Sequence, residues 1–331
     1  MIENGIFIIG VRKCGTTSLF NLLEQHPDIE GSSIKEPQFF SLRQSSVDAN
    51  ISYYHSLFSD LNGLIMDGST HYFMHEHSIQ NIRKYVRNPK FIIMIRNPVD
   101  RFFSAYFHLN RHYPPNDSRN LDQLVADYIS LDPHSPIASE NELISKLVSS
   151  ETLNGTYYNK ESHRNRKLGP MLTDYDDMHA EYRYLKESTY SSQLHKLDLN
   201  DSHIIVLEEL LADSEGVISK LEKFLDLQSG YLDLSKTEKT NQGYVVQNPI
   251  LGRFLRPGNW RPQLRLGIMS KIKKKFSKPA PKANTIHKRQ IATILKKEFD
   301  FWNERLPQTK QYWNRYDKKT EATDGHPKTT S

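Results

Sequence analysis

The stretch FIIGVRKCGTTSLFNLLEQHP, residues 7–27, joins a short apolar run, a turn bounded by glycines and a helical pattern. Residues 7–10 are apolar enough for a parallel strand that is buried on both faces. Residues 16–25 place three leucines on one side, which predicts a helix, and Pro27 ends it because the residue before proline avoids helical angles. A turn between a buried strand and a helix is typical of a phosphate-binding loop.

The turn itself, GVRKCGTT at residues 10–17, carries the two glycines of a G-x-x-x-x-G loop. Glycine permits the close approach of a ligand, and the free N–H groups at a helix N-terminus attract anions. In a Walker loop a lysine directly follows the second glycine, whereas here Thr16 takes that place and Lys13 lies two residues before Gly15. The sequence therefore predicts a phosphate loop with Lys13 reaching over its ligand. The only candidates for a Walker-B carboxylate are Glu208 and Glu209, which disfavours Mg²⁺-dependent nucleotide hydrolysis.

The remaining apolar segments predict an α/β protein with a central parallel sheet, a P-loop-type three-layer α/β/α fold, because strands alternate with helices. The further strands are predicted at residues 62–69, 90–98 and 202–213, the last running into a helix that continues to Phe224. We expect one domain over residues 1–316 and a polar, disordered tail at 317–331. Residues 112–180 read as an insertion of helices and loops, with helical patches at 121–130 and 140–149, which could act as a substrate lid. An amphipathic helix is predicted at 294–306.

The overall composition limits the location of the protein. The 331 residues contain no run of about 18 apolar residues, so no membrane span is predicted. No signal peptide is recognisable, and the single cysteine excludes an internal disulfide, which fits a reducing compartment. We therefore expect a cytoplasmic protein.

Positive charge is concentrated near the C-terminus. From Lys239 to Lys297 the sequence has fifteen Lys or Arg and no Asp or Glu, although the net charge of the whole chain is only +5. The basic block at residues 253–289 is interpreted either as a solvated surface or as a patch for an anionic polymer or the inner face of a membrane. No nucleic-acid partner is predicted.

The loop resembles the 5′-phosphosulfate loop of sulfotransferases that use 3′-phosphoadenosine 5′-phosphosulfate (PAPS), where glycan enzymes have the pattern R-K-x-G-T-[TR]-x-L. The resemblance implies PAPS as co-substrate, with 3′-phosphoadenosine 5′-phosphate (PAP) as product. It assigns donor binding to seven loop residues: Arg12, Lys13, Cys14, Gly15, Thr16, Thr17 and Ser18. The segment IRNPVDRFFSAYFH at 95–108 resembles the 3′-phosphate motif of the family, in which an arginine ends a strand and a serine lies eight residues later. Those positions are Arg96 and Ser104.

The segment SIKEPQFF at 33–40 resembles the element that carries the general base of glycan sulfotransferases, which implies this role for Glu36. Lys13 would then stabilise the bridging oxygen of the leaving phosphate. From the residues alone Glu36 is equally well read as a surface carboxylate before a proline.

The segment MDGSTHYFMH at 66–75 resembles a strand-end segment of the family, E-[KA]-[ST]-P-x-Y, with three departures. Asp67 stands for glutamate, Gly68 stands where heparan-type enzymes have a lysine, and Thr70 stands for proline. His71 is the alternative base, since cytosolic sulfotransferases use histidine, and a structural role for it stays open. The spacing of His71, His75 and His77 could suit a metal, but no cysteine or carboxylate completes such a site, and no metal is predicted.

Further family positions are implied with less specific patterns. Tyr190, in ESTYSSQLHKL, either contacts the ligand or packs inside the protein. Lys239, Asn241 and Gly243 lie in a segment that resembles the loop closing over the 3′-phosphate and adenine. Cys14 is interpreted as a small filler that is sensitive to oxidation, because a helix N-terminus can lower the pKa of a thiol.

These patterns predict a bacterial PAPS-dependent sulfotransferase that acts on a hydroxyl or amine of a saccharide or polysaccharide. Two alternatives stay open. One is a P-loop small-molecule kinase or NTPase, which would need Mg²⁺. The other is a binding protein that keeps the nucleotide pocket without turnover.

Overall fold

The fold is described from a computed structural model. It describes residues 1–75, 77–110, 115–153, 182–237, 244–246, 277–279 and 282–313. In these ranges, no helix is both long enough and apolar enough to cross a membrane.

A five-stranded, all-parallel sheet forms the centre of the protein, with strand order β2-β3-β1-β4-β5. The strands are β1 (Ile2–Gly10), β2 (Ile29–Gly31), β3 (Leu64–Asp67), β4 (Val86–Ile95) and β5 (Ser202–Val206). The chain runs from β1 to the β2 and β3 side and then crosses to β4 on the opposite side of β1. Ligands of such sheets bind beyond the carboxyl ends of the strands at this switch point.

Helices flank the sheet and connect its strands. In the first part of the chain they are α1 (Thr16–Leu23), α2 (Gln44–His55), α3 (Ser78–Tyr85), α4 (Pro98–Leu109), α5 (Leu121–Ile129) and α6 (Pro136–Ser149). After β5 follow α7 (Leu207–Ala212), α8 (Ser214–Leu225), the antiparallel pair β6 (Tyr244–Val246) and β7 (Ser277–Pro279), α9 (Thr285–Ile294), α10 (Lys296–Arg305) and α11 (Thr309–Trp313). The predicted α/β fold with a central parallel sheet is confirmed.

Two hydrophobic cores lie side by side. The larger contains the interior of the sheet with α1 and the C-terminal tryptophans Trp302 and Trp313. The smaller is helical and combines the apolar faces of α4, α5 and α9. The helical patches predicted in 112–180 are confirmed as α5 and α6, while residues 154–181 and the predicted tail at 317–331 lie outside the described residues.

Several predicted boundaries were wrong. The segment 202–213 is a strand only to Val206, and Asp213 separates α7 from α8 because its side chain caps Gly216 N. The predicted helix at 294–306 is confirmed as α10, and only its start was wrong, because α9 ends at Ile294 and the chain bends at Leu295. Leu295 packs in the helical core and Trp302 in the sheet core, so the bend lets one segment serve both.

Candidate active site

The loop between β1 and α1 is shaped by two residues with left-handed backbone angles. Lys13 has φ 71° and Gly15 has φ 91°. The angle favours glycine at position 15, and a Cβ atom there would also lie 2.8 Å from Leu207 Cδ1, which would have to move. Val11 N donates to Met94 O over 2.8 Å, which attaches the loop to β4. The loop thus delivers the first turn of α1, with the N–H groups that have no partner inside a helix, to the carboxyl edge of the sheet.

A cluster of Arg12, Arg101 and Glu187 supports the loop through ion pairs. Arg101 on α4 is fully buried, donates from Nε to Arg12 O over 3.2 Å and pairs with Glu187. The guanidinium of Arg12 pairs with the same carboxylate. Burial lowers the pKa of Arg101 to about 10, which leaves it charged at neutral pH. Arg12 therefore anchors the loop through Glu187.

Lys13 is held at the mouth of the loop by α4. Its Nζ lies 3.0 Å from Nδ1 of His108, and Arg96 Nη1 donates to Lys13 O over 3.4 Å. His108 lies four residues after Ser104, so both occupy the same face of α4. The elements after β1 and β4 thereby bring Lys13, Arg96 and Ser104 to one end of the sheet. His108 was missed by sequence reasoning, although its helical spacing from Ser104 would have signalled it.

The start of α4 is fixed by hydrogen bonds that also involve Glu208, one of the two candidates for a Walker-B carboxylate. Asn97 Oδ1 accepts from Val99 N over 3.1 Å and thus caps the helix. Glu208 accepts from Asn97 N over 3.0 Å and from Trp313 Nε1 over 3.1 Å. Glu208 is therefore engaged in holding β4, α4 and the C-terminal helix together.

Cys14 and Tyr190 lie behind the loop. Cys14 is completely buried, and burial raises the pKa of its thiol to about 12. The lowering of the thiol pKa expected from the helix N-terminus was therefore wrong, since desolvation outweighs the nearby arginines. The Tyr190 hydroxyl donates to Arg96 O over 3.0 Å and lies 3.9 Å from Cys14 Sγ. Both side chains are placed to pack against the loop and to support Arg96.

Glu36 lies beyond β2 with each carboxylate oxygen engaged. Thr70 Oγ1 donates to Oε2 over 3.2 Å, and Lys35 Nζ lies 3.0 Å from Oε1. The side chain of Glu36 stays 35% exposed, which leaves it accessible to another molecule. The Thr70 carbonyl lies beside Gly10, the first residue of the loop, since a Cβ on Gly10 would be 3.3 Å from Thr70 O. Glu36 therefore lies near the carboxyl end of β3, which is the neighbour of β1 in the sheet.

Asp67 lies beneath this part of the site. It is fully buried and accepts from Tyr54 and Tyr72 hydroxyls and from Ser69 N. Burial raises the pKa of Asp67 to about 6, and the hydrogen bonds only partly offset this. Asp67 thus shapes the turn after β3 rather than facing solvent.

His71 is 3% exposed, and its ring centroid lies 6.1 Å from that of His75. In the described part of the chain no group of three metal-ligating side chains is assembled.

The positions Lys239, Asn241 and Gly243 lie outside the described residues. An open cleft of about 470 Å³ is lined by Asn21, Gln25, Tyr231, Lys236 and Thr237.

The loop at the N-terminus of α1, with an arginine and a serine from the next strand and helix, defines an anion-binding α/β protein. The sulfotransferase domain family model matches residues 3–284. The chain therefore belongs to the sulfotransferase domain family, and the resemblance predicted from the sequence is confirmed.

The chain is also similar to individual sulfotransferases. Membrane-associated sulfotransferase kil1 of Dictyostelium discoideum is 26% identical over 287 residues, which covers 73% of this chain and 59% of the relative. Heparan sulfate glucosamine 3-O-sulfotransferase 6 of Mus musculus is 34% identical over 101 residues, 30% of this chain and 28% of the relative. A solved sulfotransferase from Alicyclobacillus acidocaldarius aligns at 24% identity with a TM-score of 0.46, covering 72% of this chain and 88% of that one. The chain thus spans only part of the length of these curated relatives.

Proposed function

We propose that this protein transfers the sulfuryl group of PAPS to a hydroxyl or amine of a saccharide acceptor. The observation that carries the proposal is the meeting of two parts at one sheet edge. These are the anion loop with Lys13, and the accessible carboxylate of Glu36, whose partner Thr70 has its carbonyl beside Gly10 at the start of that loop. Family membership supports the chemistry.

The described residues suit the donor. PAPS supplies a sulfuryl group activated by its 5′-phosphate. The backbone from Gly15 to Ser18 is placed to bind the 5′-phosphosulfate at the start of α1, and Arg96 with Ser104 to bind the 3′-phosphate. The guanidinium of Arg12 is paired with Glu187, so in this proposal Arg12 contributes to donor binding through its backbone.

Two side chains carry the chemistry in this proposal. Glu36 takes the proton of the acceptor as the acceptor oxygen or nitrogen bonds to sulfur. Lys13 turns from His108 toward the bridging oxygen and neutralises the charge that develops as the sulfur–oxygen bond breaks. Positioning and charge neutralisation provide most of the rate in related phosphoryl transfer, and the same holds here. His71 is the alternative base, but its 3% exposure makes it less accessible than Glu36.

The proposal of a saccharide acceptor rests on the names of relatives and on charge. Relatives that match parts of the chain are named for heparan sulfate, and the basic block at 253–289 would attract an anionic polymer. A cytoplasmic location is proposed on the single cysteine, and contact with the inner face of a membrane on the basic block. Fractionation of cells into supernatant and membrane, at low and high salt, tests this part separately.

Calorimetry tests the core of the proposal. PAP and ATP are titrated into wild type, Lys13→Ala and Glu36→Gln, with and without Mg²⁺. We expect Mg²⁺-independent binding of PAP that weakens in Lys13→Ala and is retained in Glu36→Gln. Binding of ATP only with Mg²⁺, and none of PAP, would favour the kinase alternative.

Turnover then separates an enzyme from a binding protein. Radiolabelled PAPS is incubated with heparosan (the unsulfated glucuronate and N-acetylglucosamine polymer), its N-deacetylated form, and small aryl and alkyl alcohols. We expect transfer by wild type and a fall of about 10²-fold or more in Glu36→Gln. PAP binding with no transfer to any acceptor, and no release of sulfate to water, would support the non-catalytic alternative.

A further inference from the structure

The side chain of Lys35 is built into the candidate site rather than lying on its surface. Its Nζ is 3.0 Å from Glu36 Oε1, and the Lys35 side chain is only 16% exposed. The other oxygen of Glu36 accepts from Thr70. A cation and a hydroxyl therefore hold the two oxygens of the carboxylate separately, which fixes the plane of the group.

The backbone of Lys35 is fixed by Gly68, the residue that directly follows β3. Gly68 N donates to Lys35 O over 3.1 Å. A Cβ on Gly68 would lie 3.1 Å from that carbonyl and 2.7 Å from Cδ2 of Phe20. A side chain at position 68 would therefore press on Phe20 and on the backbone of Lys35, so glycine there lets the two segments approach closely.

The surroundings hold the Lys35 ammonium close to the carboxylate. Its Nζ lies 5.6 Å from the ring centroid of Phe20 on α1, within cation–π range. The carboxyl of Glu24, one helical turn after Phe20, also interacts with this charge. Burial raises the pKa of Glu24, and the positive charge of Lys35 partly offsets that rise. Lys35 thus lies between Glu36 and the helix that begins at the phosphate loop, where low exposure limits screening by water.

We propose that Lys35 is a positioning residue, which orients the carboxylate of Glu36 toward the acceptor. The inference rests on the proposed function, because it assigns Lys35 a role through Glu36. Lys35 exchanges no proton in this scheme. The acceptor proton passes to Glu36, and Lys35 with Thr70 keeps that carboxylate in a single orientation.

The test compares Lys35→Met with a matched control, Lys84→Met. Lys84 Nζ lies 2.8 Å from Asp48 Oδ1 and 5.5 Å from the Tyr85 ring centroid, so it repeats the two contacts of Lys35 away from the site. The reaction is labelled-sulfuryl transfer to the acceptor found by the screen, or sulfate release with water as acceptor if water alone reacts. We expect kcat to fall between about tenfold and a hundredfold in Lys35→Met, as for a misplaced catalytic group. The Kd of PAP and the acceptor KM should stay within about twofold.

Two further variants make the assignment specific. Lys35→Arg should recover most of kcat, because it restores a charged donor beside Glu36. In a Glu36→Gln background, Lys35→Met should add no further loss, because a positioning residue has nothing left to position. Thermal melting of each variant checks that it is folded, and Lys35→Gln replaces Lys35→Met if the latter does not fold.

The contrary outcomes are distinct. Unchanged kcat in Lys35→Met, or a loss that multiplies with that of Glu36→Gln, would overturn the positioning role. A rise confined to the acceptor KM would also overturn it and would make Lys35 an acceptor-binding residue. Failure of the proposed function is recognised separately, since wild type would then neither bind PAP nor release sulfate.

Discussion

At the scale of single residues, Lys13 is the loop side chain that acts in the proposed reaction. Its Nζ lies 3.0 Å from His108 Nδ1, so the side chain is already at the loop mouth and has only to change partner. Lys13→Met keeps the length of the chain and removes the charge. We expect kcat to fall about 10²- to 10³-fold, in line with the loss of one group that stabilises a developing charge.

The measurement is single-turnover transfer from labelled PAPS, with Lys13→Arg as the control that keeps the charge. The prediction would be contradicted if Lys13→Met and wild type had the same single-turnover rate with saturating donor.

The buried carboxyl of Asp67 makes a second prediction, about stability and pH. Burial raises its pKa from the usual 3.8 to about 6. Between these values the folded protein holds a proton that the unfolded chain has lost, so stability falls as the pH rises through about 6. The difference of about 2 pKa units corresponds to about 3 kcal/mol at pH 7. Asp67→Asn has no such proton to lose.

We therefore expect the free energy of unfolding of Asp67→Asn, relative to wild type, to rise by up to about 3 kcal/mol between about pH 4 and pH 7. Urea unfolding at both pH values measures it, and the exposed Asp198→Asn is the control. A constant difference across this pH range would show that Asp67 ionises normally in the folded protein.

At the scale of elements, the phosphate loop depends on a helix and a turn far away in sequence. Arg101 on α4 and Arg12 in the loop share Glu187, which is 3% exposed. Removing one partner of a buried ion pair leaves an uncompensated charge and typically costs about 3–5 kcal/mol. Glu187→Gln should therefore lower the free energy of unfolding by about 3 kcal/mol or more, and should weaken PAP binding because the loop loses its support.

Urea unfolding and PAP calorimetry on the same variant test both parts. Glu3→Gln, which removes an exposed ion pair with Arg87, is expected to change neither. Full retention of stability in Glu187→Gln would mean that Arg12 and Arg101 find other partners.

At the scale of the whole molecule, the two hydrophobic cores are joined at the site. The helix α4 carries Ser104 and His108 and also contributes to the helical core, while Trp313 of the sheet core donates to Glu208 beside the start of α4. We expect both cores to unfold together. A ligand at 100 times its Kd stabilises the folded state by about 2.7 kcal/mol, so PAP should shift one common transition.

Thermal unfolding followed by tryptophan fluorescence and by circular dichroism tests this, with and without PAP. Since Trp302 and Trp313 report on the sheet core, two separated transitions, with PAP moving only one, would show that the cores unfold independently.

The sequence by itself determined the class of the fold and the family to which the chain belongs. A buried strand, a glycine-bounded loop and a helix are local patterns, and so is the arginine–serine spacing after β4, so residues 7–27 and 95–108 predicted both. The short strand β2 and the helices α2 and α3 were missed. Of these, α2 contains a residue with non-helical angles, Asn50, and β2 has only three residues, so neither has a strong periodic signal.

Only the tertiary structure decided which side chains are exposed to solvent and which are held in hydrogen bonds or ion pairs. Glu187 is 86 residues from Arg101, Thr70 is 34 from Glu36, and His108 is 95 from Lys13. Pairings at such separations depend on strand order, which no local pattern encodes. Burial likewise set the pKa of Cys14 against the local effect of the helix N-terminus, because desolvation is a property of the whole fold.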